Sequence, residues 1–143
     1  MSGLFKNKDK NLIVQAIVEA EKQTSGEIRV HVEARAGKEP MARAAEVFAR
    51  LGMDKTQDRN GVLFYLAFKD RKFVVLGDEG IDQKTPDDFW EEIKDLMSTE
   101  FQAGRFASGL VTGINKAGEA LAECFPYQKG DVNELSDEIS GEV

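Results

Sequence analysis

A chain of 143 residues fits a single domain large enough to bury a stabilising core without staples, and its one cysteine excludes an internal disulfide. The formal net charge of -7 argues against nucleic acid, whose phosphates demand a basic surface. It fits a soluble protein able to hold a cation.

No stretch approaches the ~20 apolar residues of a membrane span. The opening MSGLFKNKDK has lysines but no apolar core behind them, so it does not read as a secretory signal. The default expectation is a soluble, cytoplasmic protein.

In LIVQAIVEAEKQ, the residues Leu12, Ile13, Ala16, Ile17 and Ala20 recur at helical spacing, which predicts an amphipathic helix with Gly26 as its stop. Ile28, Val30 and Val32 then alternate with Arg29, His31 and Glu33. Period two with one polar face predicts a half-exposed strand at or near a sheet edge. His31, the only histidine, falls on the polar face and reads as a solvated strand residue rather than a titrating or ligating one. Met41, Ala44, Ala45, Phe48 and Leu51 give a second helix, with Pro40 in its first turn and Gly52 at its end.

Residues 61–68 are almost unbroken apolar and aromatic, and residues 73–76 form a second such run after the polar break Lys69, Asp70, Arg71 and Lys72. This pattern predicts an antiparallel hairpin at the centre of the sheet. It ends in Gly77, Asp78, Glu79 and Gly80, which read as a flexible acidic loop. Thr85 followed by Pro86, Asp87 and Asp88 reads as a helix start, with a capping hydroxyl and acids at the positive end of the helix dipole. Phe89, Trp90, Ile93, Leu96 and Met97 supply that helix's apolar face, Trp90 as a core anchor. Gly104 precedes a last helix over residues 106–124, on which Gly109, Gly113 and Gly118 allow close approach to a neighbour. From residue 127 an acidic tail is expected; residues 130–143 carry five acids and no lysine or arginine. Val132, Leu135 and Ile139 are spaced for one weak amphipathic turn within it.

The order helix, strand, helix, hairpin, helix, helix predicts a three-layer α/β/α sandwich with a small mixed sheet centred on the hairpin. If the first strand runs parallel to the first hairpin strand, three polar segments share one end of the sheet: residues 24–27, 57–60 and 77–80. They gather Glu27, Asp58, Asp78 and Glu79, with Asp82 close behind. Clustered carboxylates repel one another unless a positive charge neutralises them. Either Ca²⁺ or Mg²⁺ sits among carboxylate, carbonyl and water oxygens, or Arg29 or Arg59 pairs with Asp58 or Asp78 and the cluster is structural.

Other chemistries lack their signatures. An EF-hand loop begun at Thr56 would place its closing glutamate on Ala67 and fails. There is no phosphate-cradling glycine loop and no dinucleotide fingerprint. Cys124 reads as a structural thiol at a helix end, and the lone histidine leaves few options for a triad. Any catalysis would depend on carboxylates and a metal.

The run TSGEIRVHVE, the phrase VFARLGMDKTQDRNGVLFYLAFKDRKFVVLGDEGI, and then Trp90, Phe101, Phe106, Gly109, Phe125 and Pro126 together resemble the TPM domain family, over nearly all of residues 12–126. That family includes thylakoid-lumen proteins linked to photosystem II repair and many bacterial proteins. The resemblance implies one TPM-like domain over residues 1–126 with an α/β/α sandwich. It further implies divalent-cation binding near loops at one end of the sheet and the acid phosphatase activity reported for a plant member. Asp78 and its loop match a shared feature; Glu27 and Asp58 rest on topology. The chain departs from many members in showing no leader, membrane anchor or glycine-rich extension.

Three functions are therefore expected in order: a divalent-cation-binding module, a weak metal-dependent phosphomonoesterase, and an assembly protein binding a partner through its last helix and acidic tail.

Overall fold

The computed structural model describes residues 5–86, 88–127 and 135–141. Among them are helices α1 (Asn7–Glu21), α2 (Pro40–Arg50), α3 (Glu79–Asp82), α4 (Glu91–Gln102) and α5 (Phe106–Cys124). The strands are β1 (Glu27–Glu33), β2 (Gly61–Ala67), β3 (Lys72–Gly77) and β4 (Ser140–Gly141), and a short 3-10 turn spans Met53–Lys55.

The four strands form one mixed sheet in the order β3-β2-β1-β4. β1 pairs parallel with β2 from Glu27 opposite Gly61 to Glu33 opposite Ala67, and β2 pairs antiparallel with β3. Every residue of β2 is buried, as its unbroken apolar run requires of a central strand.

Alternation along the strands divides the core in two. Ile28, Val30, Val32, Val62, Phe64 and Leu66 face α1, α4 and α5. Leu63, Tyr65, Ala67 and Val74 face α2 through Ala44, Val47 and Phe48. These two cores on opposite faces of one sheet make the α/β/α sandwich.

The α5 glycines serve close packing. A Cβ on Gly109 would come 2.3 Å from the Phe101 ring, one on Gly113 2.5 Å from Met97 Sδ, and one on Gly118 2.8 Å from Ala20 Cβ. The helix thus approaches α4 and α1 where side chains are missing. At the α2 terminus Gly52 takes φ 73°, where a Cβ is unfavourable.

Several local expectations change. Leu12 lies on the outer face of α1, half exposed. α4 begins at Glu91 rather than near Thr85, because the Thr85 hydroxyl donates back to the Ile81 carbonyl at 2.8 Å and so does not cap a following helix. Asp87 lies outside the described residues. The acidic loop after β3 is not flexible coil: Asp78 Oδ1 accepts from Glu79 N at 2.8 Å and caps α3.

The largest change concerns the tail. Residues 135–141 run along β1, with Ser140 and Gly141 paired parallel to His31 and Val32. Leu135 packs on the α2-side core and Ile139 on the other, so β1 is flanked on both sides. Val132 lies outside the described residues. The strap also takes His31 out of solvent: Nδ1 lies 2.8 Å from Ser140 Oγ and Nε2 lies 3.1 Å from Glu33 Oε1, with the imidazole stacked on the Tyr65 ring. No helix among the described residues is long and apolar enough to cross a membrane.

Candidate functional site

Parallel pairing of β1 with β2 places both strand starts at one end of the sheet, and antiparallel β3 finishes there. The backbone ties the three segments together: Glu27 N donates to Asn60 O at 3.3 Å, Asp78 N to Gly61 O at 2.9 Å, and Gly80 N to Arg59 O at 2.9 Å. The end of α5 is fastened to the same place. Ser25 N donates to Phe125 O at 2.9 Å, and the Thr24 hydroxyl donates to the same carbonyl.

Asp78 is buried and gripped by Arg59, which donates from Nε at 2.9 Å and from an Nη at 3.1 Å to its two oxygens. The other Nη reaches Glu79 Oε1 at 3.2 Å. Asp78 raises the Arg59 guanidinium pKa above its ordinary value, and Glu79 and Asp54 add to the effect. Arg59 itself adopts φ 50°, a conformation uncommon for a side chain of this size. Of the two pairings open to Asp78, the structure makes the one with Arg59.

The other predicted acids scatter. Glu27 is buried, and its Oε1 accepts from Leu135 N at 3.0 Å, so it serves the strap on the β1 face opposite Ile28. Asp58 and Asp82 are exposed. Arg29 points to the strap, donating to Glu138 O at 3.4 Å. Among the described residues no group of three or more histidine, cysteine, aspartate or glutamate side chains stands ready to hold a metal ion.

Oxygen donors of other kinds lie in the same loop. Thr56 and Asn60 are 4% and 1% exposed, yet Thr56 Oγ1 and Asn60 Oδ1 have no hydrogen-bond partner among the described residues; Asp54 Oδ1 is buried likewise. An unsatisfied buried acceptor costs about 1–3 kcal/mol, so such groups call for a ligand. With Asp58 they recur at every second residue, 54, 56, 58 and 60. That spacing was legible in the sequence, but an EF-hand register begun at Thr56 passes over Asp54. Beside Asp58 opens a polar cleft of about 490 Å³ whose walls include Ser25, Gln57, Gln83, Lys84 and Cys124. Cys124 is thus partly exposed rather than sealed in the core.

The family model described as TPM domain matches residues 1–120. The chain belongs to the TPM domain family. A solved TPM-like relative, the NMR structure of BA42 protein from the psychrophilic bacterium Bizionia argentinensis, is 46% identical, with 96% of this chain and 95% of that one covered and a TM-score of 0.92. Two further NMR structures share the fold alone. The N-terminal domain of a P. gingivalis protein is 20% identical, covering 86% of this chain and 80% of that one at TM-score 0.70. The N-terminal domain of cg2496 protein from Corynebacterium glutamicum is 12% identical, covering 95% and 80% at TM-score 0.66. The search of curated proteins returned no match.

Proposed function

We propose that this TPM domain is a divalent-cation-binding module whose ion sits between the loop entering β2 and the loop leaving β3. Asp78 and Glu79 provide the carboxylates; Asp58 and Asp82, which stand apart from them in the cation-free protein, would join only if their segments move on binding. The observation that carries the reading is two buried oxygens, Thr56 Oγ1 and Asn60 Oδ1, which have no hydrogen-bond partner among the described residues and lie on either side of Asp58 and Arg59 in the chain. Mixed carboxylate, hydroxyl and amide oxygens suit a hard ion such as Ca²⁺ or Mg²⁺ better than a soft one. Glu27, committed to the strap, is left out of the ligand set.

The test is titration of metal-free protein with Ca²⁺ and with Mg²⁺, followed by amide NMR. Saturable shifts are expected at residues 54–60 and 77–82. Their absence in both titrations removes the proposal.

One feature favours a second reading, hydrolysis of phosphomonoesters. The polar cleft beside Asp58 has Lys84 on its wall, its ammonium 4.5 Å from the centre of the Phe125 ring, and an ammonium is a cation a phosphate could recruit. A bound divalent ion would polarise the phosphoryl oxygens and supply the attacking water. Hydrolysis of a generic phosphate ester that vanishes with chelator and in Asp78→Ala supports this; hydrolysis that survives Asp78→Ala places it elsewhere.

A further inference from the structure

We infer that Arg59 is a built-in counter-ion that holds Asp78 and Glu79 in the cation-free protein and must leave them when a divalent ion binds. The inference rests on the cation-binding reading and adds how that site is regulated.

Three geometries support it. Arg59 engages both oxygens of Asp78, at 2.9 and 3.1 Å, and one oxygen of Glu79 at 3.2 Å, so a single guanidinium answers two neighbouring carboxylates. A hard cation recruits the same oxygens, and a carboxylate whose two oxygens are both committed to a guanidinium is a poor ligand until released. Second, Arg59 is 41% exposed while Asp78 is 7% exposed. The guanidinium therefore has a path into solvent, and the carboxylate stays behind to meet the incoming ion. Third, Thr56 Oγ1 and Asn60 Oδ1 flank Arg59 in the chain, are more than nine-tenths buried, and lack partners among the described residues. They lie close to Arg59 in the chain, with the Asn60 amide donating to Ser25 Oγ at 3.4 Å, and a spherical ion would accept oxygens from any direction where a guanidinium of fixed fork geometry does not.

The backbone does not need Arg59 as such. Its φ of 50° lies in the left-handed region, which asparagine adopts far more readily than arginine. Arg59→Asn therefore removes the charge while suiting the turn.

Exchange of one positive partner for another has a definite signature. A site that is competent only when Arg59 is away binds with an affinity reduced by the fraction of time it is away. Removing the competitor raises affinity for the divalent ion by on the order of tenfold. In the parent protein, the Arg59 Nε–H resonance loses its hydrogen-bonded shift as Ca²⁺ is added.

The experiment is Ca²⁺ titration of the full chain and of Arg59→Asn, by calorimetry and by NMR of the Arg59 Nε–H in the parent. Tighter binding in Arg59→Asn, with release of Nε–H in the parent, is the expected result. Equal or weaker binding in Arg59→Asn overturns the inference, and so does an Nε–H that keeps its bond at saturating Ca²⁺; cation binding by the parent then still stands. Binding by Arg59→Asn alone supports Arg59 as the occupant while removing the function proposed for the parent. Binding by neither overturns both.

Discussion

Gly80 donates its N–H to the Arg59 carbonyl at 2.9 Å, and it sits so close that a Cβ would fall 2.5 Å from that oxygen and 2.3 Å from the carbonyl oxygen of Asp58. Both atoms ahead of the Cβ are backbone, so neither can turn aside.

Gly80→Ala should therefore push the loop leaving β3 away from the loop entering β2. The cost expected for overpacking is about 1–3 kcal/mol. Chemical denaturation measures it, and the amide shifts caused by Ca²⁺ at residues 54–60 should shrink in the same variant. A variant as stable as the parent would mean that the two loops are not pressed together.

Tyr65 donates its hydroxyl to Glu33, whose carboxylate also accepts from Arg43 Nε at 2.7 Å and from Arg43 Nη at 2.8 Å. Arg43 chiefly, then Tyr65 and His31, hold the Glu33 pKa down at about 2 against the effect of burial. A depressed carboxylate stabilises the fold above the ordinary range and loses that contribution as pH falls from 4.5 through about 2. Tyr65→Phe removes one hydrogen bond to a charged acceptor and should cost about 2 kcal/mol at pH 7. The difference between the variants should narrow in urea melts taken toward pH 2, where Glu33 is neutral in both.

Glu21 has the opposite sign. Burial first, and then Asp137 and Glu27, push its pKa up to about 10, so it carries a proton at neutral pH while its Oε2 accepts from Ile28 N at 2.8 Å. Stability should fall as pH rises from 4.5 toward about 10, because the unfolded carboxyl ionises and the folded one resists. Glu21→Gln keeps the shape and abolishes the titration. It should be more stable than the parent at pH 8 by roughly 2–4 kcal/mol, with the gap closing near pH 5. A gap that does not change with pH would show Glu21 ionised in the fold.

Burial lowers the His31 pKa below 6.5; Glu33 opposes the shift, while Arg43 and Arg29 reinforce it. Its contribution to stability is accordingly lost as pH falls from 6.5 through the lower folded value. Cutting the chain after residue 134 removes Ser140 from the imidazole. The His31 pKa followed by imidazole NMR should then move up toward 6.5. No movement would mean that the helix layers, not the strap, bury the ring.

The sequence was most readable where one physical demand dominates. β2 had to be central because no residue of it tolerates water, and α5 had to run over residues 106–124 because its apolar stripe and small residues permit no other packing. The convergence of residues 24–27, 57–60 and 77–80 followed from strand direction alone. What failed were choices between equal local options. The Thr85 hydroxyl can cap forward or bond backward, and only the position of the Ile81 carbonyl decides. A two-residue strand such as β4 carries no period to detect, so Ser140 and Gly141 were hidden inside an acidic run. His31 reads as solvated in the sequence because its cover lies 109 residues away. Asp78 lies where the strand directions place it and is held by Arg59, but the two partners open to it, an arginine and an ion, leave the same mark on composition.

The strap has a practical consequence for anyone dividing this protein. The match to the TPM domain stops at residue 120, yet Phe125 closes the main core, and Gly141 lies where a Cβ would meet the Val32 carbonyl oxygen at 2.1 Å. A fragment cut at that boundary would lose both and leave β1 with a bare hydrogen-bonding rim, the kind of edge that recruits other chains into aggregates. The smallest well-behaved unit should therefore extend through residue 141, beyond the span by which the family is recognised.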